Sequence, residues 1–258
     1  MTVHDGTTYP LNQWLCRLWV FGLCFFFTPN VFAQGNDIQG QPLILIAVLA
    51  GLAVLPFLLI MVTSFVKVAV VLSLLRTAIG AQQVPPNQVI TGLAVVLSVY
   101  IMAPVGMESY QVVEPLLQRI EQKESPQPKF SDYRETATEA AKPLKTFLLK
   151  HADAKERTLL YDLALELRSP KQQKTLKDDD MIVVIPAFVL TELKEAFTIG
   201  FLLFIPFLIV DLVVANILLS LGMHMLSPTT VSLPFKLLLF VLVDGWYLVI
   251  KGLILGYV

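Results

Sequence analysis

Residues 196–226 read AFTIGFLLFIPFLIVDLVVANILLSLGMHML, and Asp211 is the only Asp, Glu, Lys or Arg among them. Crossing about 30 Å of hydrocarbon takes about 20 predominantly apolar residues, so this stretch is longer than one crossing. Pro206, Asp211 and Gly222 interrupt it, and a proline inside a helical pattern breaks or kinks the helix. Working outward, three more apolar stretches appear. Residues 43–66 carry no charge before Lys67 and hold Pro56 at mid-depth. Residues 89–107 follow Pro85-Pro86-Asn87, where the prolines stop the preceding segment and Asn87 can cap the next. Residues 233–258 hold Lys236, Asp244 and Lys251. Periodicity cannot separate a membrane helix from a buried one, but length can. The expected fold class is all-α: membrane-type helical hairpins with broken or kinked helices and a helical insertion.

Composition agrees. Hydrophobic residues make up 55% of the 258 and charged residues 15%, against about 25% charged in ordinary soluble domains. Mean hydropathy is +0.69. This excludes a disordered chain, a basic nucleic-acid-binding domain and a coiled coil, and it disfavours a soluble enzyme. With a net charge of -1, no global field points to a polyanion partner. Thirteen Lys/Arg and fourteen Asp/Glu fall within 108–180, 27 of the 39 charged residues. The chain therefore divides into 1–33, a targeting segment; 34–107, hydrophobic helices; 108–180, a polar helical insertion; and 181–258, hydrophobic helices again.

The first segment has Arg17 ahead of an apolar run over 18–27, broken by Thr28-Pro29-Asn30. Val31-Phe32-Ala33 offers small residues at the positions a signal peptidase reads, with cleavage before Gln34. Both cysteines, Cys16 and Cys24, lie inside it, so removal leaves no thiol for a disulfide, a metal or a nucleophile. Lys67 and Arg76, with no acid, fall between 67 and 86 and place that connector in the cytoplasm. A cleaved signal leaves Gln34 on the other side, and 108–180 is then extracytoplasmic. Within that block, 130–150 and 152–168 read as amphipathic helices, with Leu159, Leu160, Leu163 and Leu167 at helical spacing on one face.

Absences matter too. No phosphate-binding G-x-x-x-x-G-K-[ST], no H-E-x-x-H and no G-x-S-x-G occurs, and His4, His151 and His224 are far apart. No cofactor, metal or catalytic residue is expected. The informative residues are charges in apolar surroundings: Lys67, Arg76, Glu192, Lys194, Glu195, Asp211, Lys236, Asp244 and Lys251. Each costs at least about 2.5 kcal/mol at the bilayer centre and needs a partner, a wet cavity or the interface. Lys236 and Asp244 stand about 12 Å apart along a helix, too far to pair. The partners are therefore expected on other helices or other subunits, although Lys251 and Lys67 can snorkel to the interface. Pro186, Pro206, Pro228 and Pro234 add expected kinks.

Pro186-Ala187-Phe188-Val189-Leu190-Thr191-Glu192-Leu193-Lys194-Glu195-Ala196-Phe197 resembles one signature of the FliP/SctR family of type III secretion export-apparatus proteins. Pro234-Phe235-Lys236-Leu237-Leu238-Leu239-Phe240-Val241-Leu242-Val243-Asp244-Gly245-Trp246 resembles the second. Ser64-Phe65-Val66-Lys67 with Leu74-Leu75-Arg76, and Pro85-Pro86-Asn87, also fit. Ser64-Phe65-Val66-Lys67 and Gln82-Gln83-Val84-Pro85-Pro86-Asn87 are closer to the injectisome branch (SctR) than to the flagellar one (FliP). The signal-like segment is more usual in flagellar members.

The resemblance implies a non-enzymatic core subunit in the bacterial inner membrane, multi-pass, with its insertion on the periplasmic side. It implies a pentamer-based helical channel, five copies of this chain with SctS/FliQ-like and SctT/FliR-like membrane proteins. Unfolded polypeptides pass through, and nucleic acid has no part. The family's constriction is a methionine-rich loop, matched here by Leu221-Gly222-Met223-His224-Met225-Leu226, with His224 where a third methionine is usual. Met223 and Met225 are expected to form a deformable gasket, although methionines at a helix end can also be plain packing residues. Glu192, Lys194, Glu195, Asp211, Lys236 and Asp244 are expected to bond across subunit boundaries. Pro186, Phe188, Phe197, Pro234, Gly245 and Trp246 mark the signatures. A small-solute or proton-coupled transporter is the alternative, which inverted repeats would favour, and none is visible between the halves.

Overall fold

The computed structural model describes residues 42–80, 85–121 and 130–258, and no strand occurs among them. The targeting segment at 1–33, both cysteines and Gln82-Gln83-Val84 lie outside the described residues. The helices are α1 (Pro42–Met61), α2 (Phe65–Ile79), α3 (Asn87–Glu121), α4 (Phe130–Ala140), α5 (Lys142–His151), α6 (Ala154–Glu166), α7 (Pro170–Gln173), α8 (Met181–Ser220), α9 (Pro228–Leu242) and α10 (Gly245–Leu255). Contacts divide the chain into a unit ending at Leu55 and a larger unit from Pro56 to Val258. In the first, Leu45, Ile46, Leu49, Leu52, Val54 and Leu55 are exposed along α1.

The larger unit is built on α8. Its 40 residues span about 60 Å, twice the thickness of the hydrocarbon core, so part of it must stand outside a bilayer. Helix α2 runs parallel to it. Lys67 meets Glu192, Leu74 lies against Gly200, and the end of α2 at Ala78 meets Lys236, which is itself bound to Asp211. Helices α9 and α10 return antiparallel, since Lys236 pairs with Asp211, Phe240 with Phe207, and Tyr257 with Glu192. Val68, Val71, Leu72 and Leu75 of α2 pack with Ala94 and Leu97 of α3 and with Val184, Ala187 and Phe188 of α8 in the core. Ser64 donates to Ser98 across the same seam at 3.2 Å.

Local sequence explains the boundaries. Gly80, at φ 83, ends α2 in the left-handed region that glycine tolerates. Asp153 caps α6 by accepting from the Lys155 N–H at 3.1 Å. Helix α8 ends in a Schellman turn: Gly222 has φ 72, its N–H donates to the Leu219 carbonyl, and the Met223 N–H donates to the Leu218 carbonyl at 2.9 Å.

By length and composition α3 and α8 can each cross a membrane. The α1–α2 and α9–α10 pairs, each broken by a bend, would count as a third and a fourth span.

Four expectations are corrected. Pro186 and Pro206 do not break α8, and Pro234 lies inside α9, while Pro228 starts α9. Each of the three internal prolines is exposed and removes a single i→i−4 bond, and the buried residues beside it, such as Ala187 and Phe207, keep the helix packed across it. The sharp bend of 60° between α9 and α10 falls instead at Asp244, which has φ 52 and is the only described non-glycine residue at positive φ. Residues 130–150 form two helices, divided at Ala141 with Pro143 in the first turn of α5. The four leucines do not share one buried face: Leu159, Leu163 and Leu167 are exposed, Leu167 at 88%, while Leu160 and Glu156 dock α6. Neither Lys67 nor Arg76 is a loop charge: both lie in α2, Lys67 buried and Arg76, in the last turn, bonded to Asn87 and the Pro85 carbonyl.

Candidate functional site

Two buried charge clusters fasten α2 along α8. In the first, the Lys67 ammonium lies 3.0 Å from Glu192 Oε1 and 2.6 Å from Glu195 Oε2. Glu192 and Glu195 are one helical turn apart on α8, so both carboxylates face one cation. Tyr257, after α10, donates its hydroxyl to Glu192 Oε2, and Lys67 Nζ sits 4.2 Å from the centre of the Tyr257 ring. The ring closes the cluster from above, adding a cation–π contact to the ion pair. Helix α5 completes the surround: Phe147 stacks on Tyr257 at 6.0 Å, His151 meets the same ring edge-on at 5.1 Å, and Lys150 donates to the Val258 carbonyl at 3.0 Å.

The second cluster lies about 24 Å further along α8, by the rise of sixteen residues from Glu195 to Asp211. Lys236 of α9 lies 2.6 Å from Asp211 Oδ2, Ser232 donates to Asp211 Oδ1, and Lys236 also donates to the Ala78 carbonyl at 3.4 Å. The ammonium thus neutralises an acid and caps the carbonyl end of α2, where a cation is electrostatically favoured. Three helices meet on one side chain.

A third, more open pair joins the polar block to α8. Lys194 lies 2.7 Å from Glu156 and 3.6 Å from Asp153, whose N–H donates to Thr191 Oγ1 at 3.0 Å. Glu192, Lys194, Glu195, Asp211 and Lys236 therefore each meet an opposite charge within the chain. Distance along one helix excludes pairing within a helix, and these five find partners on neighbouring helices of the same chain, the first of the two places expected. Asp244 differs. It is exposed at the α9–α10 bend and has no ion pair among the described residues. Lys251 is exposed too, with Nζ 5.3 Å from the Tyr247 ring centre.

The signature positions have unlike surroundings. Phe188 is fully buried, Gly245 is buried against the Phe240 ring where a Cβ would collide, and Trp246 packs edge-on to Phe240 at 5.4 Å. Pro186, Phe197 and Pro234 are exposed.

The turn between α8 and α9 forms an apolar tip. Met225 is 98% exposed, and Met223, His224, Leu221 and Leu226 are exposed beside it. Below the tip a groove of about 400 Å³ between α8 and α9 is lined by Val210, Val214, Ile217, Leu218, Val231 and Phe235, without a polar group.

Outside the candidate spans, His151, Asp153 and Asp179 are among the groups that titrate away from their ordinary values. Burial among Phe147 and Tyr257 pushes the His151 imidazole down, and Lys150 and Lys67 push it the same way. The Lys155 backbone N–H holds the Asp153 carboxyl below the usual range, and the hydrogen bond from Lys145, at 2.7 Å, does so for Asp179. Among the described residues no group of three or more His, Cys, Asp or Glu gathers to hold a metal. Sequence reading did not find Tyr257, Glu156 or Ser232 as partners, since each lies in an ordinary pattern. Only the acids they satisfy stand out.

The FliP family profile matches residues 48–253. Yop proteins translocation protein R of Yersinia pestis is 47% identical over 216 residues, 83% of this chain and 95% of that protein. Hypersensitivity response secretion protein HrcR of Ralstonia nicotianae is 44% identical over 222 residues, 86% of this chain and 99% of its own length. Flagellar biosynthetic protein FliP of Bacillus subtilis is 45% identical over 232 residues, covering 88% and 98%.

Proposed function

This chain belongs to the FliP family of type III secretion proteins, and on that premise we propose that it is a core subunit of an injectisome-type export gate in the bacterial inner membrane. Five copies, with SctS/FliQ-like and SctT/FliR-like proteins, surround a channel for unfolded polypeptides, and the 108–180 block lies on the periplasmic side. The family is a structural one, and the role rests on shape and packing, not on bond-making chemistry.

The observation that carries the reading is the apolar tip. An exposed Met225 at the end of a helical hairpin is costly for a lone chain in water, and several such tips facing one another would bury it. Methionine has three rotatable bonds and a polarisable sulfur, so a ring of them closes around nothing and gives way to a passing chain. The transporter alternative draws less support, because Glu192 and Asp211, the acids a proton path would use, are each tied to a lysine. Of the charges first assigned to subunit boundaries, Asp244 keeps that role, facing outward among exposed Val241, Leu242, Tyr247 and Leu248.

The test is ionic leak through complexes reconstituted in vesicles. Met223→Ala with Met225→Ala is expected to raise leak while leaving the complex intact, and unchanged leak would refute the gasket. Asp244→Asn is expected to release partner proteins in detergent. A fully retained complex would remove Asp244 from the interface.

A further inference from the structure

His224 is the residue the gasket does not use. A seal against ions is served by apolar side chains, yet His224 follows Met223 and precedes Met225 in an exposed turn. No hydrogen bond or ion pair engages its ring among the described residues. Two methionines of the chain's seven are here, one on each side of His224 in the sequence, while the other five are not close to a histidine in sequence except Met1.

The donor set has a definite chemical preference. Thioether sulfur is neutral, soft and polarisable, and it binds copper(I)-type ions while ignoring magnesium and calcium, which take oxygen. Neutral imidazole suits the same soft ions. Divalent ions are further disfavoured because no carboxylate stands nearby in sequence. The nearest acid on one side is Asp211, already held by Lys236, and on the other it is Asp244 beyond α9. A monovalent soft cation needs no such charge.

The backbone is prepared for it. The Schellman turn fixes Gly222 and Met223 onto the end of α8 through the Leu219 and Leu218 carbonyls, and the His224 N–H donates to the Gly222 carbonyl at 3.1 Å. Presenting the three donors on an anchored turn lowers the ordering cost of binding. We propose that Met223, His224 and Met225 form a binding site for a soft monovalent metal ion, copper(I) or silver(I), at the tip of the α8–α9 hairpin. One chain suffices, so the site does not depend on the channel reading, and the gasket and the metal site can fail separately.

Silver(I) is the probe, because it does not change oxidation state under the conditions of titration. Cys16 and Cys24 are replaced by serine first, since thiolates would outcompete thioethers. Calorimetric titration of that full chain in detergent and chloride-free buffer is expected to show saturable binding of no more than one silver ion per chain. Met223→Leu with Met225→Leu, which nearly preserves volume, is expected to weaken it at least 100-fold, and His224→Phe about tenfold. Should the double variant lose helicity, the single leucine variants replace it, each with an expected loss of about tenfold. Binding that is absent in the cysteine-free chain, or unchanged in the leucine variants, would overturn the proposal.

Discussion

Removing Glu192 would leave Lys67 buried at 2% exposure, facing only the half-exposed Glu195, and would leave Tyr257 without its acceptor. Breaking a buried pair from one side costs about 3–5 kcal/mol, whereas replacing both partners with apolar residues is often neutral. Glu192→Ala is therefore expected to lower the midpoint of thermal unfolding in detergent sharply, and Lys67→Met with Glu192→Leu to lower it less. Equal losses in the two would show that the pair itself, not the stranded charge, carries the stability. His151 predicts a pH effect. Its folded-state ring is held below 6.5, so folding favours the neutral form. Its stabilisation is complete above 6.5 and declines as pH falls below that value. Unfolding midpoints measured from pH 7.5 down to 5.5 should fall in the parent and stay flatter in His151→Phe. At this scale the sequence exposes the need but not its answer. Glu192, Asp211 and Lys236 are conspicuous because apolar neighbours surround them, yet Lys67 lies 125 positions from Glu192, and no spacing rule links them.

Between helices, two glycines set the approach distance. A Cβ on Gly200 would meet the side chain of Leu74, and one on Gly245 would collide with the Phe240 ring. Gly200→Ala should push α2 from α8 and cost about 1–3 kcal/mol, as overpacking does. Leu74→Ala in the same chain should recover part of it, giving a coupling energy that a double-mutant cycle reads directly. Additive losses would show that the two residues do not share the seam. Helix existence is legible in the apolar stretches, since only long apolar runs fit a 40-residue α8 or a 35-residue α3. The breaks are less legible. A proline is visible in the sequence, but whether a helix absorbs it depends on what packs beside it, as Pro206 demonstrates, while the actual bend at Asp244 depends on a backbone angle that no composition announces.

At the scale of the whole chain, the exposed apolar surface of α8 through α10 exceeds what its own fold covers: Phe201, Val241 and Leu242 are each more than two-thirds exposed. Lipid can cover such residues, and so can sister chains. If sister chains do, the chain purified in mild detergent should run as an oligomer by light scattering, and Asp244→Asn should shift it toward single copies. A parent that is monomeric at all concentrations would count against assembly through this face. The two lysine-centred clusters carry a mechanical consequence. Because Lys67 and Lys236 rivet α2 to its neighbours at both ends, α2, the facing length of α8 and the start of α9 can only travel as one rigid strut. Any widening of a passage must then come from bending at the glycine-hinged turn past Ser220, or from whole struts tilting apart, and never from α2 sliding along α8.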